Sequence, residues 1–145
     1  FMLAPNPGEG LKPLVKVASG GETSRMMLAM KNILARADEV PSLIFDEIDQ
    51  GIGGRIGMIV GEKLWQLGRQ HQVFCVTHLP QLAAFGDLHL QVQKLLIDGR
   101  TLTHVEPLEK EARLLELAQM LGDVGEGTVR SAHEILQNAQ KIREA

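Results

Sequence analysis

Acidic residues follow one short apolar run of the sequence, and a histidine follows another. Asp46 and Glu47 come directly after residues 42–45, and His78 comes directly after residues 73–77. Short continuous apolar runs are typical of strands that are buried on both faces of a parallel sheet. Because ligands bind beyond the carboxyl ends of such strands, we expect the three side chains at one edge of a single sheet.

The neighbouring carboxylates suit a magnesium ion and a water molecule. Mg²⁺ prefers hard oxygen ligands, commonly one or two carboxylates together with waters and substrate phosphates. Asp46 lies nearest the strand and is the better candidate for a metal ligand, while Glu47 is placed to position or deprotonate a water. His78 is a candidate for contacting a phosphate or relaying a proton. The alternative is structural, with the acids solvated in a strand-to-loop turn and the histidine serving the fold alone.

A third candidate site is the segment Val17-Ala18-Ser19-Gly20-Gly21-Glu22. Ser19 and Glu22 have the spacing of a capping box, which predicts that a helix begins there. Two glycines nevertheless occupy its first turn, although glycine weakens a helix interior by about 1 kcal/mol relative to alanine. A bare helix N-terminus lets a phosphate approach the backbone N–H groups. Alternatively, the glycines belong to the turn before an ordinary capped helix.

Two other nucleotide-binding patterns fail in this sequence. Residues 51–57 follow a predicted strand and open a predicted helix, but Ile56 stands where the third glycine of a dinucleotide fingerprint should be. The acids at 46–49 would also repel a pyrophosphate. A phosphate-binding loop of the form GxxxxGK[ST] needs a Gly-Lys pair, and the sequence contains none.

Alternating helices and strands must position these residues. Apolar periodicity, glycines and prolines predict a strand at 1–4, a loop at 5–13, a helix at 20–37, a strand at 42–45, a helix at 55–70, a strand at 73–77, a short helix at 80–85, a hairpin of strands 88–97 and 101–106, and helices at 108–121 and 128–143. This order predicts an α/β fold with a mainly parallel sheet flanked by helices. One set of apolar residues recurs at helical spacing and should face the core from the first long helix: Met26, Met27, Met30, Ile33, Leu34 and Ala37.

Composition narrows the function classes. The chain has 145 residues, 44% of them hydrophobic, which suits one globular domain with a real core. A net charge of -3 and scattered basic residues, Arg25 among them, give no basic patch for nucleic acid. The single cysteine, Cys75, fits a buried thiol in a reducing compartment. No membrane span or signal peptide is expected, and the opening Phe1 suggests a piece of a longer protein.

The combination of motifs resembles the ABC-type ATPases. Residues 19–22 are similar to their signature motif, residues 43–47 look like a Walker B strand with its catalytic glutamate, and His78 falls where their switch histidine lies. Glu22 in place of the usual glutamine, together with the acids at 46–49, favours the SMC-like chromosome-maintenance branch. Within it, the stretches 16–22, 44–51 and 76–81 are most similar to a bacterial DNA-repair type, and the resemblance covers most of the chain.

This resemblance implies a role for each matching residue. Asp46 would bind Mg²⁺ through water, Glu47 would activate the attacking water, and His78 would sense the γ-phosphate. The signature segment would bind, in trans, the ATP held by the other protomer of a head-to-head homodimer; its residues are Ser19, Gly20, Gly21 and Glu22. The cofactors implied are ATP and Mg²⁺.

The resemblance also implies what this chain lacks. Residues 1–145 would form the C-terminal lobe of a P-loop ATPase head, and the Walker A lysine would lie in an N-terminal lobe beyond a long coiled coil. The chain alone is therefore expected to be inactive. A family aspartate that crosses the dimer would fall near Gly53, where this sequence has none, and Asp49 is the nearest substitute.

The implied function is Mg²⁺-dependent ATP hydrolysis at a head-to-head dimer interface, in the repair of DNA double-strand breaks and in recombination. The implied partners are the N-terminal lobe, a second head and DNA, and the expected location is the bacterial cytoplasm, with the nucleoid. The alternative is a non-catalytic module for dimerisation or partner binding.

Overall fold

A computed structural model describes residues 2–4, 6–34, 40–97 and 99–144, apart from the side chains of Val15 and Val17. The elements in chain order are β1 (Met2–Leu3), β2 (Lys12–Pro13), α1 (Leu14–Val17), α2 (Gly20–Leu34), β3 (Ser42–Phe45), α3 (Gly54–Gly68), β4 (Gln72–Cys75), α4 (Pro80–Ala83), β5 (His89–Ile97), β6 (Arg100–Leu108), α5 (Lys110–Met120) and α6 (Glu126–Glu144). In this part of the chain no helix is long and apolar enough to cross a membrane.

Strands β3 and β4 form the parallel pair on which the site prediction depends. Ser42 lies opposite Gln72, and Phe45 lies opposite Cys75. Helix α3 makes the crossover that parallel strands require. The pairing continues one residue further, since the Val76 N–H donates to the Phe45 carbonyl at 2.9 Å. The two carboxyl ends therefore lie side by side, as predicted.

Within the described ranges, the other strand pairs are antiparallel. Strand β1 pairs with β2 inside the segment predicted to be a loop, and α1 follows it directly. Strands β5 and β6 form the predicted hairpin, with β6 extending to Leu108. The α/β class is confirmed, and parallel pairing is confined to β3 and β4 among these residues. Some predicted positions lie outside the described residues, namely 1, 5, 35–37 and 98.

The main core lies between α3 and the parallel pair. Three buried residues of α3 (Val60, Leu64 and Leu67) pack with buried residues of α2, β3, the turn after β3 and α4. These are Leu28, Phe45, Ile48 and Leu82. Ile48 is completely buried although it sits among acidic neighbours. Burying such a side chain contributes about 1.5–3 kcal/mol, so Ile48 anchors the turn that carries the acids.

The predicted core side of α2 is wrong. Its apolar residues are 38–82% exposed: Met26, Met27, Met30, Ile33 and Leu34. Ala37 lies outside the described residues. The buried positions of α2 are Gly21 and Leu28, so α2 meets the core through a narrow stripe, with the methionine side turned outward. Similarly, Ile56 and Ile59 of α3 are about half exposed.

The two C-terminal helices, α5 and α6, take part in two further buried clusters. Buried residues of α5 and α6 form one cluster (Leu117, Ala118 and Ala132), and a second cluster joins α6 to the end of α4 (Ala84, Phe85 and Ala139). The short helix α4, which follows His78, is therefore held on one side by α3 and on the other by α6. This packing fixes the position of the loop in which His78 lies.

Candidate functional site

The turn at residues 46–50, directly after β3, carries both candidate carboxylates in exposed positions. The Glu47 N–H donates to Asp46 Oδ1 at 2.9 Å. Glu47 itself has a φ of 56°, in the left-handed region. For a residue with a side chain this conformation costs about 1–2 kcal/mol, and the buried Ile48 holds the turn in it. Backbone strain of this kind is concentrated at functional sites.

Asp49 joins this turn to the loop after β4. Its side chain is only 4% exposed. Its Oδ2 accepts hydrogen bonds from Thr77 Oγ1 at 2.5 Å and from the His78 N–H at 2.8 Å. The ring Nδ1 of His78 lies 3.0 Å from the same oxygen. An aspartate that reaches across a dimer must be exposed, so the expectation that Asp49 fills that role does not fit this burial.

The imidazole of His78 is held at one nitrogen and open at the other. Its side chain is 74% exposed, and Nδ1 faces Asp49. This contact is an ion pair when the ring is protonated. Nε2 is then the ring nitrogen left for a phosphate or a water.

Ser19 and Glu22 form the predicted capping box at the start of α2. The Ser19 N–H donates to Glu22 Oε2 at 2.8 Å, and the Glu22 N–H donates to Ser19 Oγ at 3.3 Å. The Ser19 carbonyl accepts the Thr23 N–H at 3.0 Å, which makes Ser19 the N-cap. The backbone N–H of Ser19, followed by its hydroxyl, lowers the pKa of Glu22. This helix start therefore already holds a carboxylate at its capping groups.

The two glycines of α2 have a packing reason within the chain. A Cβ on the buried Gly21 would lie 2.8 Å from the Gln50 carbonyl oxygen and 3.0 Å from that of Glu47. A Cβ on the exposed Gly20 would lie 2.8 Å from Glu47 Oε2. The bare first turn thus lets the 46–50 turn approach α2. Gly20, unlike Gly21, remains at the surface.

Arg25 is a residue whose role sequence reasoning missed. Its Nη1 donates to the carbonyl oxygens of Ile48 and Gln50, both at 2.9 Å, so its guanidinium group is engaged within the chain. Ser24 Oγ adds a bond of 3.2 Å to the Asp46 carbonyl. Arg25 lies one helical turn after Gly21 and therefore on the same face, which was the available signal. These bonds join the signature segment to the turn that carries Asp46 and Glu47.

Comparison with known proteins identifies the relatives of this chain. The chain is 46% identical over 145 residues to the DNA repair protein RecN of Bacillus subtilis (strain 168) and 49% identical over 144 residues to that of Xylella fastidiosa (strain Temecula1 / ATCC 700964). These alignments cover 99% and 98% of this chain but 25% and 26% of the relatives. This chain matches the C-terminal part of RecN. The resemblance drawn from the motifs is therefore confirmed, and the chain spans about a quarter of the length of the RecN proteins that it matches. No family model matches the chain.

A solved structure supports the fold of this RecN-like chain. Its description reads "Structural biochemistry of ATP-driven dimerization and DNA stimulated activation of SMC ATPases". The superposition has a TM-score of 0.54 and covers 86% of this chain and 81% of the other, at 20% sequence identity. The fold of the RecN-like chain is therefore that of an SMC ATPase structure.

The RecN-like chain offers one carboxylate for a metal rather than a closed metal site. Among the described residues, no group of three or more His, Cys, Asp or Glu side chains is arranged to hold a metal ion. Mg²⁺ commonly takes one or two carboxylates and completes its shell with waters and phosphates. The exposed Asp46 fits an ion that is shared with a bound nucleotide.

Cys75, at the end of β4, is not a nucleophile in this site. Burial, followed by the negative charges of Asp49 and Asp46, raises the pKa of its thiol to about 12. A thiol that stays protonated at neutral pH is a poor nucleophile and a poor metal ligand. Cys75 is half-buried, so the expectation of a buried, structural cysteine is met in part.

Proposed function

We propose that this chain is the C-terminal lobe of an SMC-like ATPase head, which binds and hydrolyses ATP with Mg²⁺ during DNA repair and recombination. The observation that carries the proposal is the strained, exposed Glu47, with Asp46 beside it and His78 tied to the same turn through Asp49. The named relatives are DNA repair proteins, and the structural neighbour comes from work on SMC ATPases.

The chemistry assigned to each residue follows from its exposure and contacts. Mg²⁺, when bound with ATP, neutralises phosphate charge, and Asp46 would hold it through water. Glu47 would orient and deprotonate the attacking water. His78 would contact the γ-phosphate through Nε2. Phosphoryl transfer depends on positioning and charge neutralisation, which these side chains supply without a covalent intermediate.

The signature segment would contribute to the site of an opposite protomer. Ser19, Gly20 and Glu22 are exposed and would contact the nucleotide there. Gly21 is buried and would act indirectly, because its packing against the 46–50 turn sets the position of the first turn of α2. The capping box keeps the Ser19 hydroxyl in a defined position.

An N-terminal lobe with the Walker A lysine would complete the head. Two features of the described residues suit such a partner. The parallel pair β3–β4 has no further strand at either edge in this part of the chain, and two strands alone make a marginal sheet. The methionine side of α2 leaves an apolar surface that a second lobe would cover. The link to DNA comes from the RecN relatives, which are named DNA repair proteins, and not from the charge of this chain. A location at the bacterial nucleoid is part of the proposal and would follow from that link.

The proposal is tested by Glu47→Gln in the full-length protein that contains this chain. Loss of a general base should lower ATP turnover by about 10²–10⁴-fold. ATP binding should persist, and an ATP-dependent dimer should accumulate in light scattering after size exclusion. Glu134→Gln, at an exposed position on α6, is the matched control and should leave turnover unchanged. Full turnover by Glu47→Gln would contradict the proposal, as would robust turnover by residues 1–145 alone.

The alternative is a non-catalytic module for dimerisation or partner binding, which the exposed apolar side of α2 favours. In that case Asp46 and Glu47 are solvated turn residues. Asp46→Ala in the full-length protein separates the two functions. Unchanged turnover and unchanged Mg²⁺ dependence would favour the module, whereas a higher Mg²⁺ requirement supports the ATPase.

A further inference from the structure

Asp49 is a buried carboxylate to which the proposed chemistry assigns no task. A buried charge is costly unless it is paired and hydrogen-bonded. Here two hydrogen-bond donors and the ring nitrogen Nδ1 converge on one oxygen, Oδ2, and all three groups belong to Thr77 and His78. Asp49 is therefore committed to the loop that carries the histidine.

The contact with the ring goes beyond what is needed to hold this loop. The Thr77 hydroxyl and the His78 N–H already join the loop to Asp49. The Leu79 N–H donates to Thr77 Oγ1 at 3.0 Å, which leaves the hydroxyl proton free to point at Asp49. The third contact, from Nδ1 of His78, lies 3.0 Å from the same oxygen and restrains an otherwise exposed side chain.

Asp49 is itself held firmly. The carbonyl groups of Ile48 and Gln50, on either side of it, both accept hydrogen bonds from Arg25 of α2. Because Ile48 is also completely buried, the backbone at Asp49 has little freedom to shift. The orientation of the His78 ring therefore depends, through Asp49 and Arg25, on the position of α2, the helix that begins with the signature segment.

We propose that Asp49 is a positioning residue that fixes the ring orientation of His78. With Nδ1 turned toward Asp49, Nε2 is the ring nitrogen left to face a phosphate oxygen or a water. The inference rests on the proposed function, since it assigns His78 to a nucleotide site. Asp49 acts through His78 and touches neither nucleotide nor metal.

Asp49→Asn in the full-length protein separates this role from a structural one. The asparagine oxygen can still accept from the Thr77 hydroxyl and the His78 N–H, so the loop should stay in place. The neutral amide oxygen in the place of Oδ2 is a weaker partner for the ring than a carboxylate, so the orientation of the ring should no longer be fixed. We expect kcat for ATP hydrolysis to fall about 10–100-fold, as for other residues that orient a functional histidine. KM for ATP should change by less than about threefold, because binding contacts are retained.

A double-mutant cycle with His78→Ala provides the decisive readout. If Asp49 acts through the ring, Asp49→Asn should change kcat by less than about twofold once the ring is absent. A loss in the His78→Ala background as large as in the wild type would overturn the proposal, and so would an unchanged kcat for Asp49→Asn alone. Glu134→Gln is again the matched carboxylate-to-amide control.

Two further results keep the test decisive. If Asp49→Asn does not fold, Asp49→Ser keeps a side-chain oxygen for the loop and removes the carboxylate beside the ring. Its loss in kcat should also vanish in the His78→Ala background, and a persistent loss would overturn the proposal. If Glu47→Gln and His78→Ala both leave turnover unchanged, the ATPase proposal fails first and this inference falls with it. If both reduce turnover but the cycle is additive, the positioning inference alone fails.

Discussion

The approach of the 46–50 turn to α2 makes a specific prediction for Gly21→Ala. In most exposed helical positions this substitution is favourable, because alanine stabilises a helix by about 1 kcal/mol relative to glycine. At Gly21 the new Cβ would lie 2.8 Å from the Gln50 carbonyl oxygen and 3.0 Å from that of Glu47. Both neighbours are backbone atoms, so neither can rotate away as the end of a side chain can.

The magnitude follows from two opposing effects. Overpacking a well-packed region typically costs about 1–3 kcal/mol, with larger values where the backbone must move. The turn cannot retreat easily, because Arg25 holds two of its carbonyl groups and Ile48 is buried beneath it. We therefore expect Gly21→Ala to lower the free energy of unfolding by about 1–3 kcal/mol despite its gain in helix propensity.

Urea unfolding followed by the fluorescence of Trp65, the sole tryptophan, measures this change. Gly127→Ala is a matched control, because Gly127 is also the second residue of its helix and a methyl group added there would have nothing within 4 Å. The control should be neutral or stabilising by up to about 1 kcal/mol. If Gly21→Ala is as stable as Gly127→Ala, the turn does not approach α2 and the packing explanation of the glycine is refuted.

Three other substitutions test different parts of the structure. Gly20→Ala should spare stability but lower ATP turnover in the full-length protein, because its Cβ would displace the flexible carboxylate of Glu47. Arg113→Met removes three hydrogen bonds to carbonyl groups at residues 83–86. It should lower the free energy of unfolding by about 2–4 kcal/mol in urea titrations. Arg130→Met, at an exposed position, is the control and should leave that free energy unchanged. The raised pKa of Cys75, about 12 against an ordinary 9.0, means that its contribution to stability is complete below pH 9 and is lost as the pH rises toward 12. Over that pH range the free energy of unfolding of the unmodified protein should fall more steeply than that of Cys75→Ala.

The elements around the site could be predicted because their signals are local. Uninterrupted apolar runs mark β3 and β4, and serine and glutamate three residues apart mark the start of α2. The edge of the sheet where Asp46 and His78 meet follows from those elements. The side of α2 that faces the core could not be predicted, because apolar residues occur on both sides of the helix. Packing of Gly21 and Leu28 against distant residues decides between them.

The detailed contacts of the site were beyond local reasoning for a related cause. Arg25 is 23 residues from Ile48, and Asp49 is 28 residues from Thr77, so no spacing rule brings them together. A solvated arginine and a turn aspartate are the ordinary expectation for such residues. Only the folded chain shows that Arg25 donates to two carbonyl groups and that Asp49 is buried.

The outward methionine side of α2 has a consequence for the synthesis of the protein. Chains emerge from the ribosome N-terminus first, and this sequence corresponds to the C-terminal part of its relatives. An N-terminal lobe that covers this surface would be synthesised first and would already be present when α2 emerges. The methionine side of α2 would then be shielded from water as soon as the two lobes dock. Flexible methionine side chains suit such late docking, because they adapt to a surface that is already formed. Expressed without that lobe, the same surface would stay in water and favour self-association.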